Sequence, residues 1–128
     1  FSDPNCPYCN MFWQQARPWV ESGKVQLRHI MVGIIREDSP GKSAALLAAK
    51  DPAKALEQHE KAGKASTLKA LDKVPEAVQQ KLAANLALME EMGLQATPAI
   101  FYQDEQGNLQ SQQGAPRPEM LGKILGKR

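Results

Sequence analysis

The sequence of 128 residues has little of what would assign it to most functional classes. It contains two cysteines and two histidines, and aromatic residues make up 5% of the chain. Sixteen basic and 14 acidic residues leave a net charge of +2, which is too balanced to predict binding to nucleic acid or to a membrane surface. No apolar run approaches the roughly 18 residues of a membrane span, and no signal peptide is expected within these residues. The length suits one domain at most.

The two cysteines are separated by only two residues, in the stretch Cys6-Pro7-Tyr8-Cys9. Two thiols this close cannot crosslink distant parts of a fold, so the spacing predicts one small disulfide ring that forms and breaks. Pro7 suits the first turn of a helix, which would place Cys6 at the helix N-terminus, where unpaired N–H groups and the helix dipole stabilise a thiolate. We therefore expect Cys6 to be exposed and nucleophilic, and Cys9 to be buried and to resolve mixed disulfides. No cofactor is predicted beyond this redox-active disulfide.

A zinc site is the main alternative use of such a cysteine pair. Structural zinc usually takes four Cys or His ligands. Only His29 and His59 remain in the sequence, without paired spacing, so no metal site is predicted. His29 lies in an apolar stretch and is expected to be a core or edge residue rather than a catalyst.

The dipeptide Thr97-Pro98 stands at the entry to an apolar stretch, Ala99-Ile100-Phe101-Tyr102. An X-Pro bond at the start of a strand is a common setting for a cis peptide. By itself the pair would indicate only an edge strand. With the cysteine motif upstream in the same chain, it predicts a cis-proline loop that packs against the two thiols.

The remaining chain predicts helices and strands in a definite order. A first helix is expected over 7–20, with a kink or an end at Pro18, and a strand buried on both faces over 25–35. Further helices are expected to begin at Ser39-Pro40, Asp51-Pro52 and Pro75-Glu76, the last with an apolar stripe at Val78, Leu82, Leu86 and Met89 and with Gly93 beyond its end. A hairpin over 99–103 and 109–113 and a helix from Pro118 complete the chain.

This order is that of an α/β thioredoxin-like fold with a helical insertion over about 39–93. Phe1-Ser2-Asp3 is typical of the tail of a strand, and the chain has no initiator methionine. We therefore expect residues 1–128 to be a fragment, truncated at its N-terminal central strand. Without that strand the sheet should have a gap beside the cysteines, and the chain alone should be only marginally stable.

The chain is similar to the catalytic domain of the periplasmic disulfide isomerases of the DsbC/DsbG group. The Pro7-Tyr8 dipeptide favours the DsbG branch, because DsbC-type proteins carry Gly-Tyr between the cysteines. The resemblance spans nearly the whole chain, through the stretches Phe1-Ser2-Asp3-Pro4-Asn5-Cys6-Pro7-Tyr8-Cys9, Phe12-Trp13-Gln14-Gln15-Ala16-Arg17-Pro18-Trp19-Val20, Ser22-Gly23-Lys24-Val25-Gln26-Leu27-Arg28, Lys50-Asp51-Pro52-Ala53-Lys54 and Thr97-Pro98-Ala99-Ile100.

The resemblance implies a V-shaped homodimer, joined through a separate N-terminal domain that this sequence does not contain. It implies a Gram-negative periplasmic location, protein substrates with oxidised or mispaired cysteines, a membrane reductant of the DsbD type, and no nucleic-acid partner. Isomerase, reductase or chaperone activity is implied, including reduction of protein sulfenic acids. The roles carried over are nucleophile for Cys6, resolving thiol for Cys9, and substrate contact for Pro7, Tyr8, Thr97 and Pro98.

Three alternatives remain open at this stage. Glutaredoxins also carry Cys-Pro-Tyr-Cys, but Pro98 lies far downstream, and the stretch after the hairpin lacks the Gly-Gly and acidic residue used on glutathione. A DsbA-like oxidase would fit the helical insertion, but its motif normally has His where Tyr8 stands. A chaperone or zinc-binding module would need no redox chemistry, so it would tolerate replacement of Cys6 by Ser.

Overall fold

The computed structural model describes residues 1–127 and contains six α-helices and one two-stranded sheet in that range. Short 3-10 turns cover Gly63–Ala65 and Pro118–Met120. The elements are α1 (Pro7–Gln15), α2 (Arg17–Glu21), α3 (Ser39–Leu47), α4 (Pro52–Ala62), α5 (Glu76–Glu91), β1 (Ala99–Gln103), β2 (Leu109–Gln113) and α6 (Leu121–Leu125). Among these residues no helix is long and apolar enough to cross a membrane.

Local sequence signals set most helix ends. The predicted first helix divides at Ala16, because Pro18 has no N–H with which to continue the hydrogen-bond ladder. At the start of α4, the Asp51 side chain accepts a hydrogen bond of 3.2 Å from the Lys54 backbone, as an N-cap residue does. Gly93 follows α5 with φ +72°, which glycine adopts without strain. The predicted helix starts and the kink are therefore confirmed.

The predicted hairpin is confirmed with its predicted bounds. β1 and β2 pair antiparallel from Ala99 opposite Gln113 to Gln103 opposite Leu109. In the turn, the Asp104 carboxylate accepts backbone N–H bonds from Gln106 and Asn108, each 2.9 Å long.

The predicted strand over 25–35 is wrong. Its one ladder contact within the described residues is a parallel bridge between Ser2 and Met31, where Ser2 bonds the backbone of Ile30 and Val32. Ahead of that bridge, residues 26–30 line a cavity of about 350 Å³ that separates them from β1. Alternating apolar residues favour an extended backbone, but a strand also needs a paired neighbour.

One detail of the α5 stripe is also wrong. Val78 and Met89 are buried, but Leu86 is 37% exposed. At this point Asn85, not Leu86, lies on the helix face that packs against the rest of the protein. Its side-chain amide donates a hydrogen bond of 2.9 Å to the Met31 carbonyl. Spacings of three and four residues are equally helical, so a polar residue with a buried acceptor can take the place of an apolar one.

Among residues 1–127 the core consists of three small clusters. The first joins α1 and α2 to α6. The second joins Phe1 and Val32 to the end of α5 and the start of β1, and the third lies under α3 and α4. The first and largest cluster comprises Phe12, Ala16, Trp19, Leu121, Ile124 and Leu125.

Candidate functional site

Cys6 is the N-cap residue of α1, and Pro7 occupies the first helical position, as predicted. The Cys6 Sγ accepts a hydrogen bond from the backbone N–H of Cys9 at 3.2 Å. The thiol thus replaces the side-chain oxygen that usually caps a helix. It sits where the partial positive charge of the helix N-terminus favours an anion.

The cysteine side chains are less accessible than the motif predicts. Cys9 is 4% exposed as expected, but Cys6 is only 5% exposed, so the prediction of an exposed Cys6 is wrong. Its Sγ lies 3.5 Å from the carbonyl oxygen of Thr97, 91 positions away, in agreement with the predicted packing of the Thr97–Pro98 loop against the thiols. The exposed members of the motif are Pro7 and Tyr8, the latter 59% exposed.

The two thiols differ strongly in acidity. A hydrogen bond from the Cys9 thiol is the largest cause that lowers the pKa of Cys6 to about 6, with further help from the Thr97 side chain and the N–H groups of Cys9 and Tyr8; burial opposes these effects. The pKa of Cys9 is raised, first by that same hydrogen bond and then by burial. At neutral pH the motif therefore holds a thiolate at Cys6 and a thiol at Cys9.

The Thr97–Pro98 peptide bond is cis, as predicted. Both residues are buried, and the loop is fixed by a 2.7 Å hydrogen bond from the Gly114 N–H to the Pro98 carbonyl. Cys9 and Pro98 line the same cavity. The structure therefore brings together Cys6, Cys9, Thr97 and Pro98, the four buried members of the predicted site.

Replacing Thr97 with Val should raise the pKa of Cys6, because the Thr97 side chain is one of the groups that lower it. The buried Thr97 hydroxyl has no other hydrogen-bond partner among the described residues, so it can turn toward the thiolate, whereas valine keeps the shape of threonine but has no hydroxyl. We expect a rise of about one to two units at most, since a hydrogen bond to a charged group contributes roughly 1.5–3 kcal/mol and one pKa unit corresponds to about 1.4 kcal/mol. The pH dependence of Cys6 alkylation measures this shift. Thr97→Ser keeps the hydroxyl and serves as the control. Equal pKa values in the valine and serine variants would contradict the role given to the hydroxyl.

The structural role of Asp3 was missed by the sequence analysis, although its backbone carbonyl accepts a hydrogen bond of 3.1 Å from the N–H of Cys6. Its fully buried carboxylate accepts four hydrogen bonds of 2.7–2.9 Å. The donors are the backbone N–H groups of Asn5, Ile34 and Ile35 and the hydroxyl of Ser39. Three of these partners lie 31 to 36 residues away, so only the tertiary structure reveals the cluster.

A second missed group comes from the end of α4. The amide of Asn10 donates 2.7 Å hydrogen bonds to both the carbonyl and the carboxylate of Glu60, and burial raises the pKa of that carboxyl. His59 hydrogen-bonds the Pro4 carbonyl through Nε2 at 2.7 Å and the Ser66 hydroxyl through Nδ1. The end of α4 thereby contacts the chain on both sides of the cysteine motif.

In the part of the chain that the structure describes, neither histidine forms a hydrogen bond with Cys6 or Cys9. His29 lies half-buried at the cavity between residues 26–30 and β1, where burial lowers its pKa to about 4, in keeping with the predicted core or edge role. Within residues 1–127, no three His, Cys, Asp or Glu side chains are grouped as a metal ion requires.

Comparison with known proteins agrees with this geometry. The family of the thioredoxin-like domain matches residues 1–128. The thiol:disulfide interchange protein DsbG of Pseudomonas aeruginosa is 71% identical over 128 residues, and that of Escherichia coli is 46% identical over the same length. Those residues are 50% and 52% of the two relatives, so the chain spans about half the length of the curated relatives it matches.

A solved structure supports the fold independently. Proteus mirabilis ScsC, in a compact conformation, superposes with a TM-score of 0.74 at 25% identity. The match covers 98% of this chain and 78% of that one. A linker-deletion mutant of ScsC matches with a TM-score of 0.63 at 22% identity, over 98% of this chain and 65% of the other.

Proposed function

The chain belongs to the thioredoxin-like domain family, and from that premise we propose that it is the catalytic part of a periplasmic thiol:disulfide oxidoreductase. Its proposed activity is reduction or isomerisation of disulfides in proteins. The observation that carries the proposal is the Cys6 Sγ at the N-cap of α1, bonded to the Cys9 N–H and set against the cis Thr97–Pro98 loop. The relatives named thiol:disulfide interchange protein support it.

The proposed reaction uses the unequal acidity of the two thiols. The Cys6 thiolate attacks one sulfur of a substrate disulfide, which forms a mixed disulfide and releases the other substrate sulfur as a thiolate that takes up a proton. Cys9 then loses its proton and attacks the Cys6 sulfur, so that the substrate leaves as a second thiol and a Cys6–Cys9 disulfide remains. The dithiol supplies both electrons. In isomerisation a substrate thiolate displaces Cys6 instead, and no net electrons move.

The same residues could act on a cysteine oxidised to sulfenic acid. Attack by the Cys6 thiolate forms the mixed disulfide and expels the hydroxyl oxygen, which leaves as water once protonated. Cys9 then completes the cycle as before. Each turnover consumes one dithiol, so a reductant must renew it, and we propose a membrane protein of the DsbD type. In this proposal Pro7, Tyr8, Thr97 and Pro98 contact the substrate chain, and the full-length protein is a homodimer.

The redox equilibrium of Cys6 and Cys9 in graded glutathione buffers, followed by alkylation and mass, tests the proposal. We expect one reversible two-electron transition for the pair. A reduction potential of about −120 mV would resemble that of the DsbA oxidases. A value of roughly −180 to −270 mV would resemble those of protein disulfide isomerase and thioredoxin. Two thiols that alkylate slowly and equally would contradict the proposal.

The pH profile of the same reaction adds a second readout. With a folded-state pKa of about 6, Cys6 should react at half its maximal rate near pH 6, against about 8.5 for a free cysteine. The pKa of Cys6 is lower in the folded protein than in the unfolded chain. The ionised thiol therefore stabilises the reduced protein fully above about pH 8.5, and this stabilisation is lost as the pH falls from there through about 6.

A further inference from the structure

A second cavity opens beside Cys6 and is distinct from the cavity that Cys9 and Pro98 line. It has a volume of about 450 Å³ and lies between the loop before Cys6, the first turn of α1, the chain entering α3 and the end of α4. Cys6 lines this cavity, whereas Cys9 lines the cavity shared with Pro98. A substrate held on Cys6 therefore has a second surface beside it, separate from the Thr97–Pro98 loop.

The cavity is lined by an excess of positive charge. Arg36, Lys42 and Lys64 all line it, and Glu60 is the one carboxylate that does. Glu60 is only 3% exposed and is already bonded by the Asn10 amide, so it presents little negative charge to the opening. Within residues 1–127, neither Arg36 nor Lys64 forms a salt bridge.

Lys42 is held in place beside the nucleophile. Its Nζ donates a 3.0 Å hydrogen bond to the side chain of Asn5, the residue directly before Cys6, and lies 3.4 Å from the half-exposed Asp38 carboxylate. The Asn5 amide in turn donates to Asp38 and Ser39 at 2.8 and 2.9 Å. Lys42 is thus positioned by the same loop that presents Cys6, so a group attached to Cys6 comes close to it.

We propose that this cavity binds an acidic side chain that flanks the attacked cysteine of a protein substrate. Arg36, Lys42 and Lys64 are the specificity-determining residues, because complementary charge accelerates encounter and penalises substrates with basic flanks. This inference rests on the proposed redox function, since the substrate must be held at Cys6 for its flanking residues to reach the cavity.

Three short peptides test the inference, each with one cysteine flanked by Glu, Gln or Lys and activated as a mixed disulfide with neutral 2-thiopyridine. Attack of the Cys6 thiolate on the peptide sulfur forms the protein–peptide disulfide and releases 2-thiopyridone, whose absorbance gives the rate. With the reduced protein at low salt, we expect the Glu peptide to react roughly three- to tenfold faster than the Gln peptide, and the Lys peptide to react slowest. High salt should reduce the difference, because the lining cations reach solvent.

Two double variants distinguish the effect of the charges in the cavity from the effect of the net charge of the protein. In the double variant Arg36→Gln/Lys64→Gln the ratio of the Glu to the Gln rate should fall toward one. The control Lys69→Gln/Lys81→Gln removes the same charge from exposed positions outside the cavity and should keep the wild-type ratio. Equal Glu and Gln rates in the wild type, or equal losses of preference in both variants, would overturn the inference while leaving the redox function intact. Failure of every peptide to react would instead overturn the redox function and the inference with it.

Discussion

Replacing Cys6 with Ser should abolish thiol–disulfide exchange, whereas replacing Cys9 with Ser should stop the reaction after its first step. A serine hydroxyl does not ionise at neutral pH and cannot form a disulfide, so the Cys6→Ser variant has no nucleophile. The Cys9→Ser variant keeps the Cys6 thiolate but lacks the resolving thiol, and should accumulate a mixed disulfide with the substrate. Each variant is mixed with a disulfide-bonded protein, the reaction is quenched with acid, and the mass is measured. A mixed-disulfide adduct is expected for Cys9→Ser and none for Cys6→Ser.

A further comparison at Cys9 tests the origin of the low pKa. The largest stabilisation of the Cys6 thiolate comes from the Cys9 side chain, which donates a hydrogen bond to it. Serine can still donate that bond, but alanine cannot. The pKa of Cys6 should therefore stay low in Cys9→Ser and rise in Cys9→Ala. If the Cys6→Ser variant lost exchange but kept its full effect on protein substrates, the redox function would be contradicted and the chaperone or zinc-binding alternative favoured.

Replacing Asp3 with Ala should destabilise the fold more than any other single change to an acidic residue near the site. The substitution removes the acceptor from three backbone N–H groups and one hydroxyl, and a buried donor without a partner costs about 1–3 kcal/mol. We expect a loss of about 3 kcal/mol or more, which is a large part of the 5–15 kcal/mol typical of a domain. Urea unfolding of the reduced protein measures it.

Asp38→Ala provides the matched control. Asp38 belongs to the same hydrogen-bond network, through Asn5 and Lys42, but its side chain is 48% exposed. Water can replace the lost contacts there, so the loss of stability should be much smaller than in Asp3→Ala. Similar losses in the two variants would show that the buried carboxylate has no special structural role.

Signals carried by neighbouring residues were predictable from the sequence. Pro7 beside the cysteines predicts the N-cap position of Cys6, and Asp51-Pro52 predicts the start of α4; both are confirmed. Each depends on residues within one helical turn. The cis-proline loop was predictable because Thr97-Pro98 and the cysteine motif occur in one chain.

Signals that depend on distant partners were not predictable in the same way. The burial of Cys6 depends on its contact with Thr97. The structural role of the Asp3 carboxylate depends on its hydrogen bonds with the backbone N–H groups of residues 34 and 35. The error over 25–35 has a related cause, since apolar alternation describes one chain segment and a strand requires two. The basic cavity combines residues from four separate segments, so it has no signature in the linear sequence.

The contacts of α4 tie the predicted helical insertion to both flanks of the cysteine motif. His59 bonds the carbonyl of Pro4 ahead of the cysteines, and Glu60 binds Asn10 immediately behind them. The insertion therefore cannot be exchanged as an independent module, and a chimera that replaced it with a short loop would lose the support on both flanks of the motif. We therefore expect substitutions at His59 or Glu60 to shift the position of the cysteine motif while the Cys-Pro-Tyr-Cys sequence stays unchanged.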